Sequence, residues 1–328
     1  MNHIIPQYTK CEFIVVNGNE EDRLPLPFGD KKLESVDHFV LLGSHLTSSA
    51  SVKDEMKLHM DLRYKSVIKF YNFIRSNKMA PLTVKLKALK SCVISSLLYN
   101  CETFGNYVPK DLESTYKKML KCCFNVRLNV SNDILYIESD FLPIKAIILI
   151  RQYKFYKRFR ESIKSGSRRE KMLNILQDQE TNFIQHYENL VSKYSCVDDI
   201  VNEYKNEIKS KIRRLADNDH YKYKAYLENN PDLSSSPFLD IIHPTARDII
   251  KFRLGSHYLR IETGRWNGTR REERLCSTCG VLGDERHILY CCSIIDRNGV
   301  NLDGRLSHIW YQPDIYTLFK QIKIKNFI

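Results

Sequence analysis

The feature that most constrains the fold is a compact group of cysteines with one histidine near residue 280. Cys276 and Cys279 are separated by two residues, His287 follows them, and the adjacent pair Cys291 and Cys292 comes shortly after. Three thiolates and one imidazole complete the tetrahedron that usually holds Zn²⁺ at structural sites. Because four protein ligands leave no coordination position for water, this spacing predicts a structural zinc centre that folds a small knuckle and takes no part in catalysis. The alternative is a chance cluster of buried thiols.

The composition favours an intracellular protein, nuclear, cytoplasmic or both, without a membrane partner. Residues 1–10 lack an apolar segment flanked by basic and small residues, so they do not resemble a secretory signal. The longest strongly apolar run, residues 146–150, is too short to cross a bilayer. In a reducing compartment the 10 cysteines are expected to be thiols or metal ligands, since disulfides are rare there.

Positive charge is concentrated in two segments. The chain has 51 Lys and Arg against 39 Asp and Glu, a formal net charge of +12. Residues 57–90 contain nine basic residues and one acidic residue, and residues 145–171 contain ten and two. Such segments, placed on helices, would present a positive strip to a nucleic-acid backbone, so RNA or DNA is the expected partner. The alternative is a solvated, lysine-rich surface.

Helical periodicity dominates the chain after residue 50, and we predict a mainly α fold. The first predicted helix carries an apolar face made of Met56, Met60, Tyr64, Val67, Tyr71 and Ile74. The second begins at Pro81 and has a face made of Leu82, Leu86, Leu89, Val93 and Leu97. Further helices are predicted to open at Pro109 and Pro143, because proline suits the first turn of a helix.

A small β part is predicted before these helices. Residues 11–16 and 36–42 are rich in β-branched and aromatic residues, and they end at Asn17-Gly18 and at Gly43, which are turn signals. Two short strands do not form a stable sheet alone, so we expect them to pack on the helices or on a further segment. The polar segments 162–169 and 229–237 are the predicted joints of the chain.

Several segments resemble non-LTR (LINE-type) retrotransposon reverse transcriptases in the region that follows the catalytic palm. They are FVLLGS at 39–44, KLKALKSCVISSLLYNCE at 85–102, KFRLGSH at 251–257 and IETGRW at 261–266, followed by the Cys/His segment. Val40 and Leu41 stand where the family usually has Lys and Tyr, and Asn100 replaces a Gly. The resemblance covers nearly the whole chain from Lys10 onward.

The resemblance implies a domain order. It predicts a palm-edge β remnant at 1–46, a helical thumb-like domain at 47–165, a helical linker region at 166–236 and a C-terminal zinc-knuckle region at 237–328. It also selects Cys292 as the last zinc ligand, with Cys291 as the competing choice. The missing palm portion of a parent polymerase is then a further expected partner.

The resemblance also implies that the chain has no catalytic residues and does not polymerise DNA on its own. In this family the palm aspartates that hold Mg²⁺ lie upstream of the segment where the resemblance begins. The pair Asp198 and Asp199 mimics the palm turn but lies after the thumb in chain order, and Asp198 is interpreted as a helix N-cap.

The expected function is therefore a polymerase-derived fragment that retains binding of RNA or an RNA–DNA hybrid. Trp266 is interpreted as core beneath the zinc loop, although base stacking is its alternative role. Two other readings are a non-catalytic, zinc-stabilised scaffold or interaction protein, and an incompletely read gene for an active RNA-directed DNA polymerase. The predicted nucleic-acid contacts are Lys57, Arg63, Lys65, Lys69, Lys85, Lys87, Lys90, Arg260, Arg265, Arg270 and Arg271.

Overall fold

Helices dominate the structure, a computed structural model that describes residues 11–178, 182–218, 220–241, 243–297, 300, 309–312 and 314–324. The predicted mainly α fold is confirmed, since within these residues the strands form only two small sheets. The prediction for residues 1–10 lies outside the described residues.

The β part consists of two antiparallel hairpins. β1 (Leu26–Phe28) pairs with β2 (Lys31–Leu33), and β3 (His38–Leu41) pairs with β4 (Ser44–Thr47). Leu42 and Gly43 join the second pair with positive φ values of 51° and 84°, as a tight primed turn requires. The predicted strand at 36–42 is therefore found in shorter form as β3.

The predicted strand at 11–16 is wrong. In that segment only Phe13 is bridged, to Ser35, and no ladder continues on either side within the described residues. Strand propensity expresses how well a side chain fits a pleated, half-buried surface, so it produces a strand only where a neighbouring strand is available.

The first long helix, α1 (Val52–Ser76), begins at Ser51, whose hydroxyl accepts a hydrogen bond from the Asp54 N–H. Met56, Val67 and Ile74 are buried as predicted. Tyr64 is a correction, because its side chain is 50% exposed. The buried face instead includes His59, which lies three residues after Met56.

The second predicted helix is confirmed with a local irregularity. α2 (Leu82–Ala88) continues through a π turn (Leu89–Ile94) into α3 (Ser95–Leu97). The π turn inserts one extra residue per turn, yet the predicted apolar face is buried throughout. Its members are Leu82, Leu86, Leu89, Val93 and Leu97.

The middle of the chain is a series of helices separated by short turns. It contains α4 (Lys110–Phe124), α5 (Asn132–Ser139), α6 (Ile144–Glu161), α7 (Arg168–Asp178), α8 (Asn182–Lys193) and α9 (Val197–Asp217). Pro109 and Pro143 occupy the N-cap positions of α4 and α6, as the sequence predicts to within one residue.

The cap of α9 differs from the prediction. The N-cap residue is Cys196, and the carboxylate of Asp199 accepts hydrogen bonds from the Ser195 and Cys196 N–H groups, at 2.8 Å and 3.0 Å. Asp199 therefore performs the capping that the sequence assigned to Asp198. The acidic pair belongs to a helix start, which is an ordinary structural role for it.

The C-terminal part contains shorter helices. These are α10 (Tyr221–Asn229), α11 (Pro244–Arg253), α12 (Arg260–Trp266) and α13 (Ile315–Ile324). Single 3₁₀ turns lie at Glu21–Arg23, Cys101–Thr103 and Arg271–Glu273, and a second π turn lies at His287–Cys291. No described helix is both long and apolar enough to span a membrane.

One contiguous apolar cluster extends through most of the described chain, from Met56 on α1 to Ile322 on α13. The ring of Phe252 on α11 meets that of Phe319 on α13 edge-on, with centroids 5.2 Å apart. Two smaller clusters lie where α6 packs on α8. The domain boundaries after residues 46, 165 and 236 stay predictions.

Candidate metal centre and basic surfaces

A tight turn brings the first two cysteines of the knuckle together. The Cys276 N–H donates to the Val281 carbonyl at 2.7 Å, and the Gly280 N–H donates to the Cys276 carbonyl at 2.9 Å. Gly280 has φ +68°, a conformation that costs glycine little and other residues more. The glycine therefore lets the chain reverse directly after Cys279, so that both thiols face the same side.

The second half of the knuckle is the π turn that begins at His287. The Cys292 N–H donates to the His287 carbonyl at 2.8 Å, which closes the turn between these two residues. Cys292 is fully buried whereas Cys291 is exposed. The wider π turn thus directs the second of the two adjacent cysteines into the cluster.

The four side chains form a group of the right size for a metal ion. The ligand atoms of Cys276, Cys279, His287 and Cys292 all lie within 4.8 Å of one another. The Cys292 Sγ lies 3.8 Å from both the Cys276 Sγ and the Cys279 Sγ. A tetrahedron with Zn–S bonds of about 2.3 Å has sulfur–sulfur edges of about 3.8 Å. The cluster therefore has the composition and about the size of a tetrahedral metal site.

The protonation chemistry of the cluster also fits a metal. The Nε2 atom of His287 is buried and has no hydrogen-bond partner among the described residues. Burial lowers the pKa of His287, so the imidazole is neutral and can donate its lone pair. Burial raises the pKa of the Cys292 thiol to about 11. A bound dication would lower the pKa of this thiol again, because it stabilises the thiolate directly.

Arg297 supports the metal-binding turn from outside. Its guanidinium donates to the carbonyls of Ile288, Leu289, Cys292 and Ile295, at distances of 2.7–2.9 Å. These bonds satisfy carbonyls that the π turn leaves open, and they fix the segment that carries two of the ligands. The family resemblance marks an Arg at this position, five residues after the last ligand, but it did not predict these backbone contacts.

A buried contact between a carboxylate and a histidine supports the other side of the knuckle. Glu285 Oε1 lies 2.8 Å from the His257 Nε2, and its Oε2 accepts a hydrogen bond from the Tyr221 hydroxyl at 2.8 Å. Burial alone would raise the pKa of Glu285, but the charge and hydrogen bond of His257 outweigh it and lower the pKa to about 2. The knuckle is thereby joined to α10.

Five of the seven predicted thumb contacts lie at the surface. They are Lys57, Lys65, Lys69, Lys87 and Lys90. Arg63 is partly buried; its guanidinium donates to the Gly43 carbonyl at 3.3 Å and lies over the ring of Tyr99. Arg63 therefore holds the β3–β4 hairpin against α1, and its access to a nucleic acid is limited.

Lys85 is a correction to the predicted strip. The residue is only 4% exposed, and its ammonium donates to the Lys78 carbonyl at 3.0 Å. Its position explains this, because Lys85 lies three residues after Leu82 and next to Leu86, on the buried face of α2. The side chain points inward and cannot join the outer basic strip.

The predicted arginines of the C-terminal region lie on α12 and in the segment just before the candidate metal cluster, and all four are exposed: Arg260, Arg265, Arg270 and Arg271. Arg265 forms an ion pair with Glu262 at 3.2 Å, and Arg271 lies over the ring of Tyr221. The other two form no ion pair within the described residues, so they are the more available for an anion.

Trp266 does not form the core beneath the zinc loop, which corrects the predicted role. Its side chain is 43% exposed, and the Arg127 guanidinium stacks on it, 4.1 Å from the ring centroid. The ring of Tyr258 meets Trp266 edge-on at 5.9 Å. The exposed rings of Tyr258 and Trp266, with the half-buried guanidinium of Arg127, form a platform beside the knuckle. Arg127 was not predicted, because no local pattern links it to a residue so distant in the sequence.

Comparison of the chain with protein-family models, curated proteins and solved structures found no match.

Proposed function

We propose that this chain binds RNA or an RNA–DNA hybrid, as a polymerase-derived fragment equivalent to the thumb and zinc-knuckle part of a non-LTR reverse transcriptase. The main support is the outer face of α1, where Lys57, Lys65 and Lys69 are exposed and form no ion pair with a carboxylate of the described residues. Lysines without carboxylate partners retain their charge for phosphates, and each contact releases a condensed counterion.

The metal in this proposal is Zn²⁺, held for structural reasons. Three thiolates and one imidazole favour Zn²⁺ over hard cations, and the 3.8 Å sulfur separations fit its tetrahedron. The ion would fix the turns that carry Arg260 and Arg270, and it would leave the platform of Arg127, Tyr258 and Trp266 free to stack on an unpaired base.

The test is filter binding of a single-stranded RNA at several salt concentrations. A variant with Lys57, Lys65 and Lys69 of α1 and Lys87 of α2 changed to Gln removes four exposed charges from the predicted basic strip. Its matched control carries the same change at four exposed lysines outside both basic segments, Lys31, Lys32, Lys110 and Lys320. We expect the strip variant to bind more weakly and with a flatter salt dependence, by roughly 0.7 in log–log slope for each phosphate that it no longer neutralises.

The outcome against the proposal is equal affinity and equal salt slope in the strip variant and its control, both folded. The second candidate function, a zinc-stabilised scaffold, would then take its place. Its specific support is the closed four-ligand centre joined through Glu285 to the rest of the fold, which is a structural arrangement.

The third hypothesis, that the chain is part of an active RNA-directed DNA polymerase, is tested separately. Primer extension on a primed RNA template with Mg²⁺ is expected to stay at background for this chain, because Asp198 and Asp199 belong to a helix cap. A palm-encoding frame directly upstream in the genome would favour the polymerase reading.

A further inference from the structure

A second basic feature lies apart from the α1 strip, inside the fold. A cavity of about 800 Å³ opens between the end of α1, the start of α2, the end of α4, and helices α11 and α13. Four basic residues stand at its exposed mouth: Arg75, Lys78, Lys118 and Lys323. Four others are more deeply placed: Lys85, Lys121, Arg247 and Lys251.

The positive charge of this cavity is not balanced by its own lining. Asp248 is the one carboxylate among the described lining residues; it lies 2.7 Å from the Lys323 ammonium and 4.0 Å from that of Lys251. Eight cations thus face a single anion, an excess of seven positive charges. A cavity that is lined by one sign of charge focuses its field on the enclosed solvent.

The deep cations are held in position by neutral acceptors. Lys85 Nζ donates to the Lys78 carbonyl at 3.0 Å, and Lys121 Nζ donates to the Leu128 carbonyl at 2.6 Å. The Arg247 guanidinium donates to the Ala80 carbonyl at 3.0 Å. These bonds orient the cationic groups without neutralising them, and each group retains further N–H donors.

Apolar walls strengthen the effect of these charges. Leu82, Phe124 and Ile250 line the cavity beside the lysines, so water solvates the ammonium groups only in part. Burial lowers the pKa of Lys85, and the neighbouring Arg247 lowers it further. Burial lowers the pKa of Lys121 as well, with Lys222 and Lys117 acting in the same direction. An anion bound in the cavity would raise the pKa of both lysines, because it favours their charged form.

We propose that this cavity binds a compact polyphosphate group. Several negative charges on one small ligand are needed to match seven uncompensated cations, and a phosphate oxygen accepts from several lysines at once. The volume is that of a pocket for a single small ligand, and a nucleic-acid duplex does not fit in it. Two sources share this chemistry: a soluble polyphosphate and the 5′-triphosphate end of an RNA.

The test uses titration calorimetry on the full chain with inorganic tripolyphosphate, inositol hexakisphosphate, and one RNA carrying either a 5′-triphosphate or a 5′-hydroxyl. The variant is Lys78→Gln with Lys118→Gln, at two exposed mouth positions whose loss leaves the core intact. The matched control is Lys110→Gln with Lys164→Gln. We expect the mouth variant to bind polyphosphate at least about tenfold more weakly than the control, since each charged hydrogen bond contributes about one decade.

The four ligands distinguish a soluble polyphosphate from the 5′-triphosphate end of an RNA. They also distinguish a failure of this inference from a failure of the proposed RNA-binding function. Tight binding of the soluble polyphosphates alone indicates a soluble ligand, whereas a preference for triphosphate RNA that the mouth variant abolishes indicates an RNA end. Absence of polyphosphate binding at millimolar concentration, or equal weakening in variant and control, overturns the inference. The tripolyphosphate result is independent of the α1 strip, so it is informative even if RNA with a 5′-hydroxyl does not bind.

Discussion

Arg253 and Glu138 form a buried, two-point ion pair that joins α11 to α5. The Arg253 Nε and Nη2 atoms lie 3.1 Å and 2.7 Å from the two carboxylate oxygens, and the two side chains are 3% and 0% exposed. The Tyr226 hydroxyl donates to the same carboxylate at 2.9 Å. A fully buried charge is stable only when it has such hydrogen-bond and ion-pair partners. The pair therefore fixes the position of the C-terminal helices against the middle helices of the chain.

Breaking this pair should destabilise the protein strongly. We expect Arg253→Met to lower the free energy of unfolding by about 3–5 kcal/mol, because Glu138 is left buried and unpaired. Urea denaturation followed by circular dichroism measures the loss. The double variant Arg253→Met with Glu138→Leu should recover most of it, since no buried charge remains. A double variant as unstable as the single one would contradict this account.

The purified chain should carry about one Zn²⁺ ion, measured by elemental analysis after purification without chelator. Cys292→Ser should remove most of the metal, because the Cys292 Sγ lies 3.8 Å from the two other thiols. Cys291→Ser is the matched control, since Cys291 is exposed and outside the cluster. Equal metal loss in both variants, or a metal-free wild-type protein, would disprove the assignment.

Stability should decline as the pH falls below about 6.5. Burial lowers the pKa of His59, assisted by Arg63 and His45 and partly opposed by the Leu97 carbonyl. Burial, His38 and Arg63 lower the pKa of His45. Folded-state pKa values below the unfolded value of about 6.5 mean that the unfolded chain binds more protons in that range, so acid favours unfolding.

The measurement is the urea midpoint at about pH 7.5 and about pH 5.5. His59→Gln keeps a donor for the Leu97 carbonyl but does not titrate, so the difference between the two midpoints should shrink. Glu55 faces the same region, and burial raises its pKa, which gives an effect of opposite sign near its own titration range. An unchanged difference in the His59 variant would contradict the assignment.

Trp266 should report RNA binding by its fluorescence. The chain has two tryptophans, and Trp310→Phe leaves Trp266 as the only one. Single-stranded RNA should quench this emission if a base stacks on the exposed platform. In the same background, Arg127→Gln removes the guanidinium that covers the ring and should change the extent of quenching. Emission that is indifferent to saturating RNA would exclude Trp266 from the interface.

Helical periodicity predicted most of the fold, because burial of an apolar face depends on positions that are close in the sequence. Together with proline at the predicted helix starts, it located α2, α4 and α6 to within a residue or two at their N-terminal ends. The same rule fails where a polar residue occupies a buried position. On α1, His59 is buried whereas Tyr64 is exposed. His59 can occupy the inner face because its ring forms a hydrogen bond with the Leu97 carbonyl, which lies on another helix.

The candidate metal cluster was predictable for a similar reason, since its four ligands lie within one short segment. The basic surfaces were less predictable from the sequence. Lys85 turns inward because the Lys78 carbonyl and the cavity receive its ammonium. The surroundings of Trp266 depend on Arg127, which stacks on its ring. Arg127 lies between α4 and α5, far from Trp266 in the sequence. Contacts of this kind are set by how the helices pack, and spacing along the chain does not encode them.

The basic cavity has a consequence for the order in which the chain is made. Its two walls are distant in sequence: Arg247 bonds to the Ala80 carbonyl across 167 residues. At about 5–20 residues per second, a ribosome needs roughly 8–33 seconds to synthesise the intervening chain. During that interval the side of α4 that α11 later contacts is not covered by α11. The nascent segment that contains α1–α4 therefore offers a binding surface to chaperones, and the cavity can form only after α11 and α13 have been made.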